Sequence, residues 1–175
     1  MKKPRLTKQP ASAAELRAAI ERGKDAGTDT AWAVFFTVLR DKHGFGLRKR
    51  IPRLWEDVRR AGQEIPETER DYKALEKWAL DFAGIEVKFP VLQQTQGPIT
   101  RADVRKSERR MYKIALLDGM LILLLVLRRV EKYGPDRIRQ VWREMMYLVE
   151  SIEAKRIKAA DLQKVLAEEA GMEFT

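Results

Sequence analysis

Few side chains in this sequence have the type and spacing that chemistry needs. His43 is the only histidine and cysteine is absent, which excludes disulfides, thiolate zinc sites and cysteine nucleophiles. A metal at His43 would need carboxylates at ligand spacing around it, and the sequence has none there. Beside Gly44, at the end of an apolar helical pattern, its expected work is to cap that end or pack its turn, where a cation favours the helix dipole. Asp81 with Glu86-Val87-Lys88 has the outline of the Asp…Glu-x-Lys set of metal-dependent nucleases, in which carboxylates hold magnesium and lysine steadies the attacking water. The corresponding place late in the chain, Met172-Glu173-Phe174, has no lysine, so a helix end and an exit strand account for both. Gly44-Phe45-Gly46 lacks the preceding strand and the lysine-serine ending of a phosphate loop. Ser12, Ser107 and Ser151 have no local base. No catalytic residue, metal ligand or cofactor is expected, and the chain reads as a binding protein rather than an enzyme.

Positive charge is the stronger signal. The net charge of +9 and a pI near 9.8 favour an anionic partner: nucleic acid, an acidic protein surface or an anionic membrane. Around Arg40–Arg60, eight Lys/Arg stand against three Asp/Glu, so the charge clusters. Leu47, Ile51, Leu54, Trp55 and Val58 form one stripe at about 100° per residue. Lys49, Arg53 and Arg60 fall on the opposite face, with Arg48 and Arg59 at its flank. A helix–Gly-turn–helix of this kind can be a helix-turn-helix or a plain hairpin with a solvated face. Its outward residues are mostly Lys and Arg, which hold phosphates rather than read bases. A second stripe, Ile138, Val141, Trp142, Met145 and Val149, leaves Gln140, Arg143 and Tyr147 outward, with Arg139 and Met146 beside them. Arginine with exposed Tyr and Met is the composition of a protein-binding patch. Tyr147 can equally lie against the rest of the molecule.

The elements that position these residues are helical. Ser12-x-x-Glu15 has capping-box spacing and starts a helix that Gly23 or Gly27 ends. A nearly all-apolar helix follows, from about Thr28 to Gly44. Pro52 requires the next helix to start near Ile51 or to kink. Tyr72, Leu75, Trp78, Ala79 and Phe82 mark another helix, closed by Gly84. Glu86–Thr100 loses periodicity and reads as a connector. Thr100-x-x-Asp103 starts a helix running to Val130, which Gly119 can break. Gly134-Pro135 opens the next. Asp161–Ala170 is the last helix, stopped by Gly171. The run Met120–Leu127 is well short of the roughly 20 residues of a membrane span and reads as a buried core helix. Met1-Lys2-Lys3 leads into polar residues without an apolar segment, so no secretory signal is expected.

The pattern repeats. Trp142, Leu162 and Gly171 each stand 87 residues after Trp55, Leu75 and Gly84, and Thr100 stands 88 after Ser12. The expected fold is all-α: a compact helical bundle of two similar tandem units related by a pseudo-twofold axis. Its divisions are a disordered basic arm (1–11), unit 1 (12–89), a linker (90–99) and unit 2 (100–175), the units sharing one core.

Leu39–Arg53, LRDKHGFGLRKRIPR, resembles a motif of small, uncharacterised phage- and prophage-encoded helical proteins of Gram-positive bacteria. Its core runs Leu-His-Asp-Lys-Phe-Gly-Phe-Gly-Lys-Lys-Arg-Leu, and the unit often ends in Glu-Glu-x-Gly-Ile. Asp41, Lys42, Gly44, Phe45, Gly46, Lys49 and Arg50 echo the core, and Phe82-Ala83-Gly84-Ile85 and Glu168-Glu169-Ala170-Gly171-Met172 echo the ending. Arg40 and His43 depart from it, as does the extra residue before Arg50. The resemblance implies a phage accessory protein acting in the cytoplasm of a bacterial host, and small phage accessory proteins as a class are often regulators or inhibitors of host defence, including anti-CRISPR proteins. It brings no catalytic residue. The expected function is contact with nucleic acid or a nucleoprotein complex through the basic helices. The alternative is an inhibitor docking on an acidic host protein without nucleic acid.

Overall fold

The computed structural model describes residues 9–46, 48–64, 71–91 and 97–174, and for 61–64 the helical backbone alone. Residues 1–8 of the expected basic arm, Leu47 of the first stripe and 92–96 of the linker lie outside the described residues. The described chain is all-helical: α1 Ala13–His43, α2 Arg50–Glu64, α3 Tyr72–Ala83, α4 Arg101–Glu131, α5 Pro135–Glu153 and α6 Ala159–Ala170. Its only β-type pairing among those residues is an isolated antiparallel bridge between Pro10 and Thr100, so no exit strand follows α3.

Where the sequence predicts two helices, one 31-residue helix runs from Ala13 to His43. Gly23 and Gly27 do not end it. A Cβ at Gly23 would collide with the Glu108 carbonyl, and one at Gly27 with the Tyr112 carbonyl and with Ala115. Glycine is present there because the backbone of α4 lies against α1, and bare helix faces permit that approach. Gly119 does not break α4 either. A Cβ there would come within 2.9 Å of the Ala31 Cβ. Gly23, Gly27 and Ala31 thus meet Glu108, Tyr112 and Gly119 in that order, so α1 and α4 run side by side in the same direction.

Both long helices start with a reciprocal cap. The Ser12 hydroxyl accepts from the Glu15 N–H while the Glu15 carboxylate accepts from the Ser12 N–H, and Thr100 and Asp103 repeat the arrangement. Just before the caps, the Ala11 N–H donates to the Ile99 carbonyl at 2.9 Å and the Arg101 N–H to that of Gln9 at 3.0 Å. At the far end Gly44 closes α1 with φ +65, and Lys132 takes the same left-handed conformation after α4.

The seam between α1 and α4 is the core. Ala33, Val34, Phe35, Phe36, Val38 and Leu39 of α1 are buried together with residues 120–124, Val126 and Leu127 of α4. Each large apolar side chain buried this way contributes about 1.5–3 kcal/mol. Trp55 stands edge-on to Trp32 with ring centroids 4.3 Å apart, and Phe35 edge-on to Phe36 at 5.1 Å.

The shorter helices cross over. Besides α4, α1 packs against α5 and α6, while α4 packs against α2 and α3 as well as α5. Arg40 of α1 reaches Glu169 of α6 at 3.4 Å, Arg128 of α4 lies 3.8 Å over the Phe82 ring of α3, and Trp55 faces Phe174 at 6.2 Å. Pro52 falls in the first turn of α2, where proline is tolerated. Phe45 and Tyr133, the residues after the two left-handed caps, are both buried, each beneath a guanidinium from the following helix (Arg50 at 3.9 Å, Arg137 at 5.1 Å). Trp55 is buried and Trp142 half-buried. No described helix is long and apolar enough to cross a membrane.

Candidate functional site

The first predicted surface is the outer side of α2 and the turn before it. Ile51, Leu54, Trp55 and Val58 are buried, while Arg48, Lys49, Arg53, Arg59 and Arg60 are exposed. Arg60 has a loose one-turn pair with Asp57 at 3.9 Å. The side chains of Arg48, Lys49, Arg53 and Arg59 form no ion pair with any described residue. Arg50, one position away, behaves differently. It donates to Glu131 at 2.7 Å and covers Phe45, so its charge is spent on joining α2 to α4. The cations that the fold does not use remain on the solvent side, where their positive potentials add.

The second predicted surface, on α5, divides. Arg139 donates from Nε to the Ala83 carbonyl at 2.7 Å and pairs with Asp136 at 3.2 Å. It closes the carboxyl end of α3 beside Gly84, a place that favours a cation. Its evident role is to attach α5 to α3.

Gln140, Arg143 and Tyr147 instead come together along a groove of about 560 Å³ between α5 and the last turns of α1, whose side supplies Thr37, Val38, Asp41 and Lys42. Tyr147 is 63% exposed. It does not lie against the rest of the molecule, because α5 turns its other face, Ile138, Val141, Met145 and Val149, to the core. Both carboxylates of the groove are engaged. Glu144 meets His43 Nε2 at 2.8 Å and accepts from the Gln140 amide at 3.1 Å, and Asp41 pairs with Arg40. His43 therefore does more than cap α1: it joins the end of α1 to α5. Thr37 is buried, and its hydroxyl has no hydrogen-bond partner among the described residues.

A third surface is one that sequence reasoning misses. Arg105, Lys106, Arg109 and Lys113 are all exposed on the first half of α4. Their spacing puts them on one arc, next to the side where Tyr112, Ala115 and Gly119 meet α1. Counting back 88 residues, the corresponding positions on α1 are Arg17, Ala18, Glu21 and Asp25. The signal is present in RKSERRMYK, within the stretch that the sequence marks only as part of a helix running to Val130.

The nuclease-like residues do not gather. Asp81 pairs with Lys77 on α3 at 3.1 Å and Glu86 is exposed beyond the helix. Among the described residues no three His, Asp or Glu side chains converge as metal ligands. Ser12 is a cap, and Ser151 donates to the Tyr147 carbonyl one turn back. Compared with family models, with curated proteins and with solved structures, the chain matches none.

Proposed function

We propose that the protein binds nucleic acid, alone or within a nucleoprotein complex, through the outer face of α2. The observation that carries this reading is the set Arg48, Lys49, Arg53 and Arg59: exposed, clustered, and without ion-pair partners among the described residues. Side chains of this kind hold phosphates and carry no base code, so binding follows charge rather than sequence. The exposed cations of α4 add a second surface suited to the same polyanion. The resemblance to phage and prophage proteins supports a role as an accessory regulator or inhibitor in the cytoplasm of a bacterial host, acting by occupancy rather than by turnover.

We also read the chain as two diverged copies of one unit, fused and interlocked about a pseudo-twofold axis. Supporting this, α1 and α4 are each 31 residues long with both ends offset by 88, and α3 and α6 are each 12 residues long with both ends offset by 87. Ala11 and Ile99, which pair before the long helices, are themselves 88 apart.

Gel shifts on unrelated duplex and single-stranded sequences test the functional reading. The parent should bind all of them with similar affinity. Replacing Lys49, Arg53 and Arg60 by Gln should weaken every complex alike. A parent that binds none of them at physiological salt overturns the proposal.

A further inference from the structure

We propose that the groove between α1 and α5 is a separate docking site for an acidic segment of a partner protein, one bearing a carboxylate beside an apolar side chain. This site does not depend on the nucleic-acid reading of α2. Charge within the groove defines its occupant. Asp41 is ion-paired with Arg40 and the Glu144 carboxylate is hydrogen-bonded by His43 and Gln140, whereas Lys42 and Arg143 form no ion pair with a described residue. A carboxylate between those two cations would make charge-assisted hydrogen bonds. A phosphate backbone fits less well, because a continuous row of anions would also run past Asp41 and Glu144.

The walls indicate a peptide. Val38, Leu148 and the ring of Tyr147 line the groove, and Tyr147 stands 63% exposed. A tyrosine offers a large apolar body with a polar tip, and such residues with arginine anchor protein interfaces. Thr37 supplies an independent observation. It is 5% exposed, it lines the groove, and its hydroxyl lacks a partner among the described residues. Buried polar groups are nearly always hydrogen-bonded, and a peptide main-chain group laid in the groove would satisfy this one.

The test is to pan a random peptide display library on the full chain, with counter-selection on an Arg143→Glu/Tyr147→Ala double variant. Both side chains are exposed, so the variant should keep the parent's melting temperature. Enriched peptides should carry Asp or Glu next to a large apolar residue. Their affinity should fall roughly tenfold or more on Tyr147→Ala or Arg143→Glu. Thr37→Val should weaken the peptide while leaving the free protein as stable as the parent or more so. Lys49→Glu on α2 should leave peptide affinity unchanged while weakening oligonucleotide binding, which keeps the two proposals separable. Enrichment of nothing, or of peptides without an acid, overturns the docking site. So does affinity indifferent to Arg143 and Tyr147. Displacement of the peptide by an oligonucleotide would make the occupant nucleic acid. Arg143-dependent dimerisation would make it a second copy of the chain.

Discussion

α2 and α5 both pack beside the long helices, α2 against α4 and α5 against α1 and α4, and they turn different chemistry outward. Moving 87 residues along the chain takes Arg53 to Gln140, Glu56 to Arg143 and Arg60 to Tyr147. The buried sides correspond closely, with Leu54 at the place of Val141 and Val58 at that of Met145. The outer side of α2 is an open cationic face, whereas that of α5 is one wall of a groove with paired carboxylates and an exposed tyrosine. Packing against a long helix constrains the inner residues of each. It leaves the outer residues free, so an open cationic face and a grooved face stand on the same frame.

The comparison fails at once if the frame is not shared. Neither half, expressed alone and cut between residues 92 and 96, should fold, because α1 packs mainly against α4, α5 and α6 of the other half. Mixing the halves should restore helical circular dichroism, and an independently folded half would separate the two faces into unrelated domains. Leu124→Asp should abolish folding of the intact chain. An unpaired buried charge costs several kcal/mol against a total stability of roughly 5–15, and Leu124 is fully buried.

A smaller effect is expected at the seam. Gly27→Val should destabilise by about 1–3 kcal/mol or more, the cost of overpacking, because its side chain would meet the backbone of α4. Gly134→Ala, with no atom nearby to meet, should be close to neutral in a denaturant melt. Equal effects would show that α1 and α4 do not touch there.

These glycines mark the limit of what is legible in the sequence. Ser12 with Glu15 and Thr100 with Asp103 are readable because a cap is local chemistry, complete within four residues. Gly84 and Gly171 are readable as stops for the same reason. Gly23 and Gly27 carry the same letter for a tertiary reason, the approach of another helix 85 residues away, which no local pattern records. The buried stripes of α2 and α5 follow from periodicity, as do their outward residues. Which outward residues meet something does not. Arg139 and Arg143 are one turn apart, yet the first fastens α3 and the second borders a groove. The exposure of Tyr147 depends on where the neighbours of α5 stand, and only the tertiary structure fixes that.

The faces should be expendable to the frame. Replacing Lys49, Arg53 and Arg60 by Gln should leave the melting temperature nearly unchanged, as surface substitutions usually do. The smallest expected effect concerns the caps. The Ser12 amide and hydroxyl hold the Glu15 carboxyl below its ordinary value, and the Thr100 hydroxyl and amide do so for Asp103. Carboxylates with lowered folded values stabilise the native state above the ordinary range and lose that contribution as pH falls through the folded values. Ser12→Ala and Thr100→Ala should therefore lower stability slightly at neutral pH and flatten its decline in acid. A parent whose stability does not fall below about pH 4 would show that the caps carry no such linkage.

The most direct test of the division between α2 and α5 is oligonucleotide affinity measured by fluorescence anisotropy against salt concentration. The parent, the α2 triple variant and an Arg143→Gln/Tyr147→Ala variant would be titrated in parallel. The parent should show a steep negative log-log slope, and the triple variant a shallower one, by up to about 0.9 for each phosphate of duplex DNA that the removed cations would have neutralised. The α5 variant should retain the parent's slope and affinity. A parent that does not bind, or an α5 variant that weakens as much as the α2 variant, would contradict the account.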